Sequence, residues 1–410
     1  MREGSVELGL IEAPPEAEAL RCRGRSAASD TVAQGVRAGR RRFRKPRLQK
    51  NSGACGQVLR QARSVMVQRL VLASPGGWQA PSARYRLGPL EREGVWPIDV
   101  ISAGSSPTRE AIEALLERGG DAAALILQRA LPSAYDLDRL RARYAHLVFD
   151  FDDAVYTVPP DLSSSWIGKL PKRVARLVLR GSPYSSARKR PLERTLRAVD
   201  VCVAGNVVLA DFARQFARRV TEIPTTMDPV PAPPESRAIP PVVVWMGLPD
   251  NLQHLRLVRQ SLEELSRDLD FRVRIVSSRT WEDSPIPVEF VPWSQKALRE
   301  SLLTASVGLA PLTDDPWTRG KCAFRAIQYG GHALPTVASP VGITDRVVLH
   351  GTTGYLARSS EQWKQALRTL LTDSGRVAQM GDAALRHIRE QYSDSVAIEA
   401  WRALIDSLDR

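Results

Sequence analysis

From Arg69 onward, short apolar runs rich in β-branched residues alternate with segments of helical character. No other feature restricts the fold as strongly. The runs are "RLVLAS" (69–74), "PIDVIS" (97–102), "AALILQ" (123–128), "HLVFDF" (146–151), "VDVCVA" (199–204) and "VTEIP" (220–224). Helical segments fall between most of them, over 107–118, 133–145 and 207–217. Strand alternating with helix predicts a parallel sheet covered on both faces. The pattern then breaks at "PVPAPPESRAIPP" (229–241), where six of thirteen residues are proline and no regular element can form. It restarts with "VVVWMG" (242–247), a helix over 252–268, "FRVRIVS" (271–277), "VEFVPW" (288–293) and "VGLAPL" (307–312). A helix from about 321, "PTVAS" (335–339) and helices over most of 359–409 complete it. The expected architecture is α/β: two doubly wound Rossmann-like domains facing across a cleft. The boundaries read as 66–228, a proline-rich linker 229–241, 242–392, and a last helix 393–410 that returns to the first domain. Ligands of such sheets lie beyond the carboxyl ends of the strands.

The chain has 410 residues, 43% of them hydrophobic, enough for a core in each half. No apolar run reaches the ~18–20 residues of a membrane span. The four cysteines (Cys22, Cys55, Cys202, Cys322) have no paired metal spacing, and such sparse use fits a reducing, cytoplasmic setting. The five histidines also lack metal-ligand spacing, so neither a metal nor a catalytic histidine is expected. Of the net charge of +13, residues 1–65 hold +8, with fourteen Lys/Arg against six Asp/Glu. This extension has little apolar periodicity and is expected to be disordered. "GRRRFRK" (39–45) resembles a twin-arginine export signal but is not followed by an apolar stretch. A solvated tail, or a stretch upstream of a true start at Met66, is the preferred reading. The rest is only mildly basic, so a nucleic-acid partner is not expected.

The stretch "HLVFDFDDAVY" (146–156) ends a strand with three carboxylates. A phosphatase nucleophile with its acid, an Asp-x-Asp metal site and the acidic floor of an acceptor cleft all fit that pattern. Haloacid-dehalogenase-type phosphatases need a small residue and a tight turn after the second aspartate. Asp153 stands there instead, and this strand is about the fourth rather than the first.

"GLAPLTDDPWTRGKCAFRAIQYGGHALPTVASPVGITDRVVLHGTTGYLA" (308–357) resembles the donor-binding segment of GT-B glycosyltransferases, especially family 4, also called group 1. "VFDFDDAVY", "PSARYR" (81–86), "ADFARQF" after "AGN", "IPTTMD" (223–228) and "VVWMG" fit the same group. The resemblance implies sugar transfer from a nucleotide diphosphate sugar to a hydroxyl on a saccharide or lipid-linked acceptor. It further implies retention at the anomeric carbon, no essential metal or other cofactor, and a place in surface polysaccharide or glycoconjugate synthesis. It puts Arg319, Gly320, Lys321, Cys322, Gln328 and Gly247 on the donor side. A helix starting near Lys321 would offer free N–H groups and partial positive charge to a diphosphate.

The chain departs from the family pattern at several points. Two glutamates eight positions apart are usual here, and this chain has Gly320 and Gln328. The arginine and lysine that usually follow the first strand of the second domain are missing from "WMGLPDNLQHL" (245–255). These losses keep open a scaffold that has lost catalysis and partners another transferase; the phosphatase at Asp150 and Asp152 ranks third. On the cleft and acceptor side the candidates are Gly76, Gly77, Arg86, Arg129, Asn206 and Asp228. Asp150 is expected to be structural, paired with loop N–H groups or an arginine. Asp152 and Asp153 are the catalytic candidates that meet the acceptor. Residues 166–180, "WIGKLPKRVARLVLR", segregate apolar and basic faces, as in a peripheral helix at the inner face of a membrane or one packed on its own domain.

Overall fold

The computed structural model describes residues 69–157 and 189–408, without the side chains of 121–123. The basic extension, Met66 and the amphipathic stretch 166–180 lie outside the described residues. The first sheet comprises β1 (Arg69–Ser74), β2 (Ile98–Ser102), β3 (Gly120–Gln128), β4 (Tyr144–Phe151), β5 (Val201–Ala204) and β6 (Val220–Glu222). All its pairings are parallel, in the order β2-β1-β3-β4-β5-β6. The second comprises β7 (Val242–Met246), β8 (Arg272–Ser277), β9 (Val288–Pro292), β10 (Val307–Ala310), β11 (Thr336–Ala338) and β12 (Gly354–Leu356). It too is parallel, in the order β12-β11-β10-β7-β8-β9. The central strands β5, β7 and β10 are buried along their whole length, as two covered faces require.

One face of the first sheet carries α3 (Arg109–Arg118), α4 (Ala134–Arg143), α5 (Lys189–Ala198) and α6 (Val207–Ala213). The other carries α1 (Pro81–Arg86), α2 (Gly88–Arg92) and the C-terminal α14 (Asp394–Asp406). Around the second sheet lie α7 (Arg259–Leu265), α8 (Gln295–Thr304), α9 (Pro316–Arg319), α10 (Phe324–Gly331), α11 (Thr344–Val347), α12 (Ser360–Thr372) and α13 (Ser374–Gln391). Side-chain caps start many of these helices. Thr108, Ser133, Asn206 and Ser294 each accept from a backbone N–H of the first turn, and Ser359 forms a capping box with Gln362.

Three expectations shift. The helix read over 252–268 is a 3₁₀ stretch, Pro249–Leu257, followed by α7. The strand read through Leu312 stops at Ala310. The helix placed from about 321 starts instead at Phe324, after Ala323 at φ 49°, and the loop expected before it holds the short α9. β12 escaped notice because three residues are too short to show a period; a Cβ at Gly354 would stand 2.1 Å from the Thr336 carbonyl oxygen, so only glycine fits there.

The linker 229–241 has no helix or strand and lies along the second domain: Val230 N–H donates to Gly331 O, and Ala238 N–H to Thr304 O. The return crossing runs beside it. Met227 N–H donates to Tyr392 O at 3.1 Å, and Met227 and Ser393 form a parallel bridge. The last helix then packs Ala397, Trp401, Leu404 and Ile405 against Leu70, Ile126, Val148 and Val203 of the first sheet. Trp401 is fully buried, so Trp401→Ala is expected to cost about 3–5 kcal/mol, read as a lower urea midpoint for the whole chain. A midpoint within error of wild type would show that α14 is not part of the first core.

Candidate active site

The strand order reverses between β1 and β3 in one sheet and between β7 and β10 in the other. Both reversals open onto one cleft of about 600 Å³, a size suited to a small-molecule substrate. Its first-domain wall includes Gly76, Ser82, Arg129, Asp152 and Asp153. Its second-domain wall includes Leu248, Leu312, Lys321, Cys322, Phe324 and Arg325.

Beneath the first wall lies a buried polar network. Arg86 is 1% exposed and Asp150 0%. Arg86 Nε donates to both Asp150 oxygens at 3.0 Å and Nη2 donates to Oδ1 at 2.6 Å. Gln128 Nε2 donates to Asp150 Oδ2 at 3.0 Å, and Ser74 Oγ donates to Gln128 Oε1 at 2.8 Å. Arg86 Nη1 donates to Ile223 O at 3.0 Å and Thr225 Oγ1 at 3.2 Å. Burial works against the Arg86 charge, but Asp150 and Asp152 outweigh it and hold the guanidinium more firmly protonated than usual. Asp150 is therefore structural, partnered by an arginine. Arg86, read as a cleft residue, lies under the floor instead. The same burial leaves Asp150 unable to act as a phosphatase nucleophile.

Above this floor the chain turns after β4. Asp152 and Asp153 face Arg129, whose backbone has φ 52° just past β3. Arg129 Nη1 lies 3.5 Å from Asp152 Oδ1, 3.4 Å from Asp153 Oδ2 and 3.1 Å from Ser82 Oγ. Gly76 and Gly77, at φ 85° and 54°, make the turn after β1 that a side chain would strain. Gly76 lines the cleft, while Gly77 is buried beside Val100.

On the opposite wall, Asp315 caps α9 by accepting from Trp317 and Thr318 N–H, and Thr318 Oγ1 accepts from Asp315 N–H. Lys321 then stands 3.9 Å from Asp153 Oδ1 and 5.2 Å from the Trp317 ring. The N–H groups of Ala323, Phe324 and Arg325, which open α10, have no acceptor among the described residues. Phe324 packs on Tyr85 of the first domain, ring centroids 4.4 Å apart. Tyr329 plugs the β7/β10 reversal: its OH donates to Leu309 O at 3.1 Å and accepts from Met246 N–H at 3.2 Å.

Several expected donor residues are elsewhere. Arg319 points outward and pairs with Asp314. Gly320 is buried in the seam between the domains, where an added Cβ would lie 2.5 Å from Ala154 Cβ. Its backbone therefore approaches the first domain, not a phosphate, and a glutamate in this conformation would have no room. Asn206 is an N-cap, as its sequence context allowed, but its Nδ2 donates to Gly320 O at 3.0 Å and contacts Cys322 Sγ at 3.2 Å, so it clamps the seam. Cys322 lines the cleft and donates to Asp152 O at 3.2 Å; burial pushes its thiol up to about 12, so it stays protonated. Gln328 lies on α10 away from the cleft lining. Gly247 also lies off the lining, beneath Arg325: an added Cβ would be 2.9 Å from Arg325 Nη2. Asp228 is exposed on the crossing. Sequence reasoning passed over Arg325 altogether. It lines the cleft, stacks 4.9 Å from the Trp245 ring and donates from Nε to Met246 O at 2.7 Å.

Residues 240–373 match the family model described as "Glycosyl transferases group 1". The second domain is a group 1 glycosyltransferase domain on a GT-B fold. Sugar transfer is the class of activity of that family. A comparison with curated proteins gives no match. Among solved structures, sucrose-phosphate synthase from Thermosynechococcus elongatus aligns with TM-score 0.57 at 13% identity, over 83% of this chain and 100% of its own. Anabaena HepE in complex with UDP and glucose gives 0.53 at 12%, over 83% and 100%. TarM gives 0.53 at 11%, over 72% of this chain, which spans 57% of TarM's length. At these identities the likeness is one of fold.

Two outcomes follow from the floor and the acidic pair. Asp150→Asn takes from the buried Arg86 the carboxylate bonded to it and is expected to cost about 3–5 kcal/mol in urea unfolding; a loss under 1 kcal/mol would remove the pair as the organiser of the floor. Asp153 is pushed above the ordinary carboxylate range, chiefly by burial and also by Asp152, against Lys321 and Arg129. It keeps 24% of its side chain exposed, so water screens part of the effect. The folded state then holds this proton to higher pH than the unfolded chain does, and stability falls as pH rises above about 3.9. Asp153→Asn is therefore expected to unfold at higher urea than wild type at pH 7, with the difference closing below about pH 4. A variant that is less stable at pH 7 contradicts this sign.

Proposed function

We propose that the cleft transfers a sugar from a nucleotide diphosphate sugar to a hydroxyl of a saccharide or lipid-linked acceptor, with retention and without a metal. The observation that carries this reading is the opposition, across one cleft, of a cationic helix start in the group 1 domain and an acidic pair on the other domain. The free N–H groups at the start of α10 and the Lys321 ammonium suit a leaving diphosphate, whose negative charge grows as the glycosidic bond breaks. Asp153 and Asp152, held by Arg129, suit the acceptor hydroxyl. Of these, Asp153 is the better placed to accept a proton, because burial has raised its basicity. HepE has been crystallised with UDP-glucose, and Staphylococcus aureus TarM with UDP and α-GlcNAc-glycerol. A donor of that kind fits a cleft with one cationic and one acidic wall.

No helix among the described residues is long and apolar enough to cross a membrane. A lipid-linked acceptor would instead be met at a membrane face from a cytoplasmic location, with surface polysaccharide or glycoconjugate synthesis as the setting.

Incubation with a panel of nucleotide sugars and acceptors, followed by assay of nucleotide diphosphate release, tests the reading. Release that depends on one donor, with the anomeric configuration kept in the product, is expected. Lys321→Ala is expected to weaken nucleotide diphosphate binding by about tenfold without changing the unfolding midpoint, the loss of one charge-assisted contact. Binding of a nucleotide sugar without turnover would favour the inactive scaffold, and no binding of any nucleotide sugar would end the transferase reading.

A further inference from the structure

We propose that Arg325 is the principal cation for the donor diphosphate, replacing from α10 the basic residues that the loop 245–255 lacks. The inference rests on the donor reading above and assigns the contact to a residue outside that loop.

The geometry is specific. The Arg325 side chain runs from the first turn of α10 to the carboxyl end of β7, where Nε donates to Met246 O at 2.7 Å. Its guanidinium lies over the Trp245 ring at 4.9 Å, which fixes the plane of the fork. Gly247 clears the way, since a Cβ there would stand 2.9 Å from Nη2. One N–H is thereby spent on the anchor, while the two terminal nitrogens make no hydrogen bond among the described residues, and Arg325 lines the cleft. A planar fork held this way can offer paired N–H donors to phosphate oxygens.

The charge balance points the same way. Among the cleft arginines, Arg129 faces Asp152 and Asp153, and beneath the floor Arg86 is bonded to Asp150. Arg325 has no ion pair with an aspartate or glutamate among the described residues. Burial lowers its pKa, and the one neighbour favouring its charge is the hydroxyl of Tyr329. A partly buried guanidinium without a counter-charge costs stability unless an anion arrives to supply it. His254, nearby, is pushed down to about 4 by burial and by Arg325 and Lys321, so it stays neutral at physiological pH and adds no third cation. Ala323, Phe324 and Arg325, whose N–H groups have no acceptor among the described residues, all line this cleft, so helix start and side chain can address one anion.

The test uses the full chain and inorganic pyrophosphate as the probe, with calorimetry and the shift in unfolding midpoint as readouts. Wild type is expected to bind pyrophosphate, and Arg325→Met to bind it at least about thirtyfold more weakly, as for truncation of one partner of a desolvated charge pair. Arg325→Lys is expected to recover only part of the affinity, because an ammonium cannot keep both the Met246 anchor and the fork. Gly247→Ala is expected to weaken binding while leaving every charge in place. Without ligand, Arg325→Met should be at least as stable as wild type, which a merely structural arginine would not show. Wild-type affinity in Arg325→Met, or no pyrophosphate binding by wild type, overturns the proposal. Loss of pyrophosphate binding in Arg325→Met by a protein that binds no nucleotide sugar would support the anion site and remove the donor reading. Turnover of a nucleotide sugar by Arg325→Met with wild-type kcat/KM would do the reverse.

Discussion

The cleft depends on the buried pair between Arg86 and Asp150. Through Gln128 and Ser74 it ties the carboxyl ends of β4, β3 and β1, and through Ile223 and Thr225 it reaches the chain as it leaves for the second domain. Its contribution to net stability is not the point, because a well-packed apolar set often does as well as a buried ion pair. Its effect is positional. With Asp150 held at 0% exposure, the following turn presents Asp152 and Asp153 to the cleft, and the β1/β3 reversal is closed by side chains that satisfy one another.

The second domain is fitted to this floor through a seam with little tolerance. Trp317 and Cys322 belong to the apolar cluster of the first domain, and Gly320 packs against Ala154 without space for a side chain. Asn206 and Cys322 complete the seam with hydrogen bonds to Gly320 O and Asp152 O. Lys321 and Asp153 therefore meet because backbone packing brings their loops together. At 3.9 Å the ion pair is too long, and both partners too exposed, to hold the domains by itself.

Much of this was legible in the chain. Long apolar runs with β-branched residues marked β1, β4, β7 and β8 to within two residues, because a strand covered on both faces must be apolar throughout. Asp150 could be separated from its neighbours by reasoning that a deeply buried carboxylate needs partners. The start of α10 was misplaced because the break at Ala323 is a backbone conformation with no glycine to announce it. Arg325 was missed for a related reason. In sequence it is 79 residues from Met246, and only the parallel pairing of β10 with β7 brings helix and strand end together.

The amino-acid sequence by itself determined the two parallel α/β domains, the irregular linker and the family of the donor segment, since these follow from local periodicity, proline content and a contiguous motif. Only the tertiary structure decided which charges face the cleft. Arg86 and Arg129 are both arginines near strand ends of the same sheet, yet one is sealed under Asp150 and the other opens beside Asp152 and Asp153. Gly320 and Lys321 are adjacent, yet one is packed into the seam and the other lines the cleft. Side-chain direction at a strand end or loop is set by what packs behind it, and those partners come from distant parts of the chain.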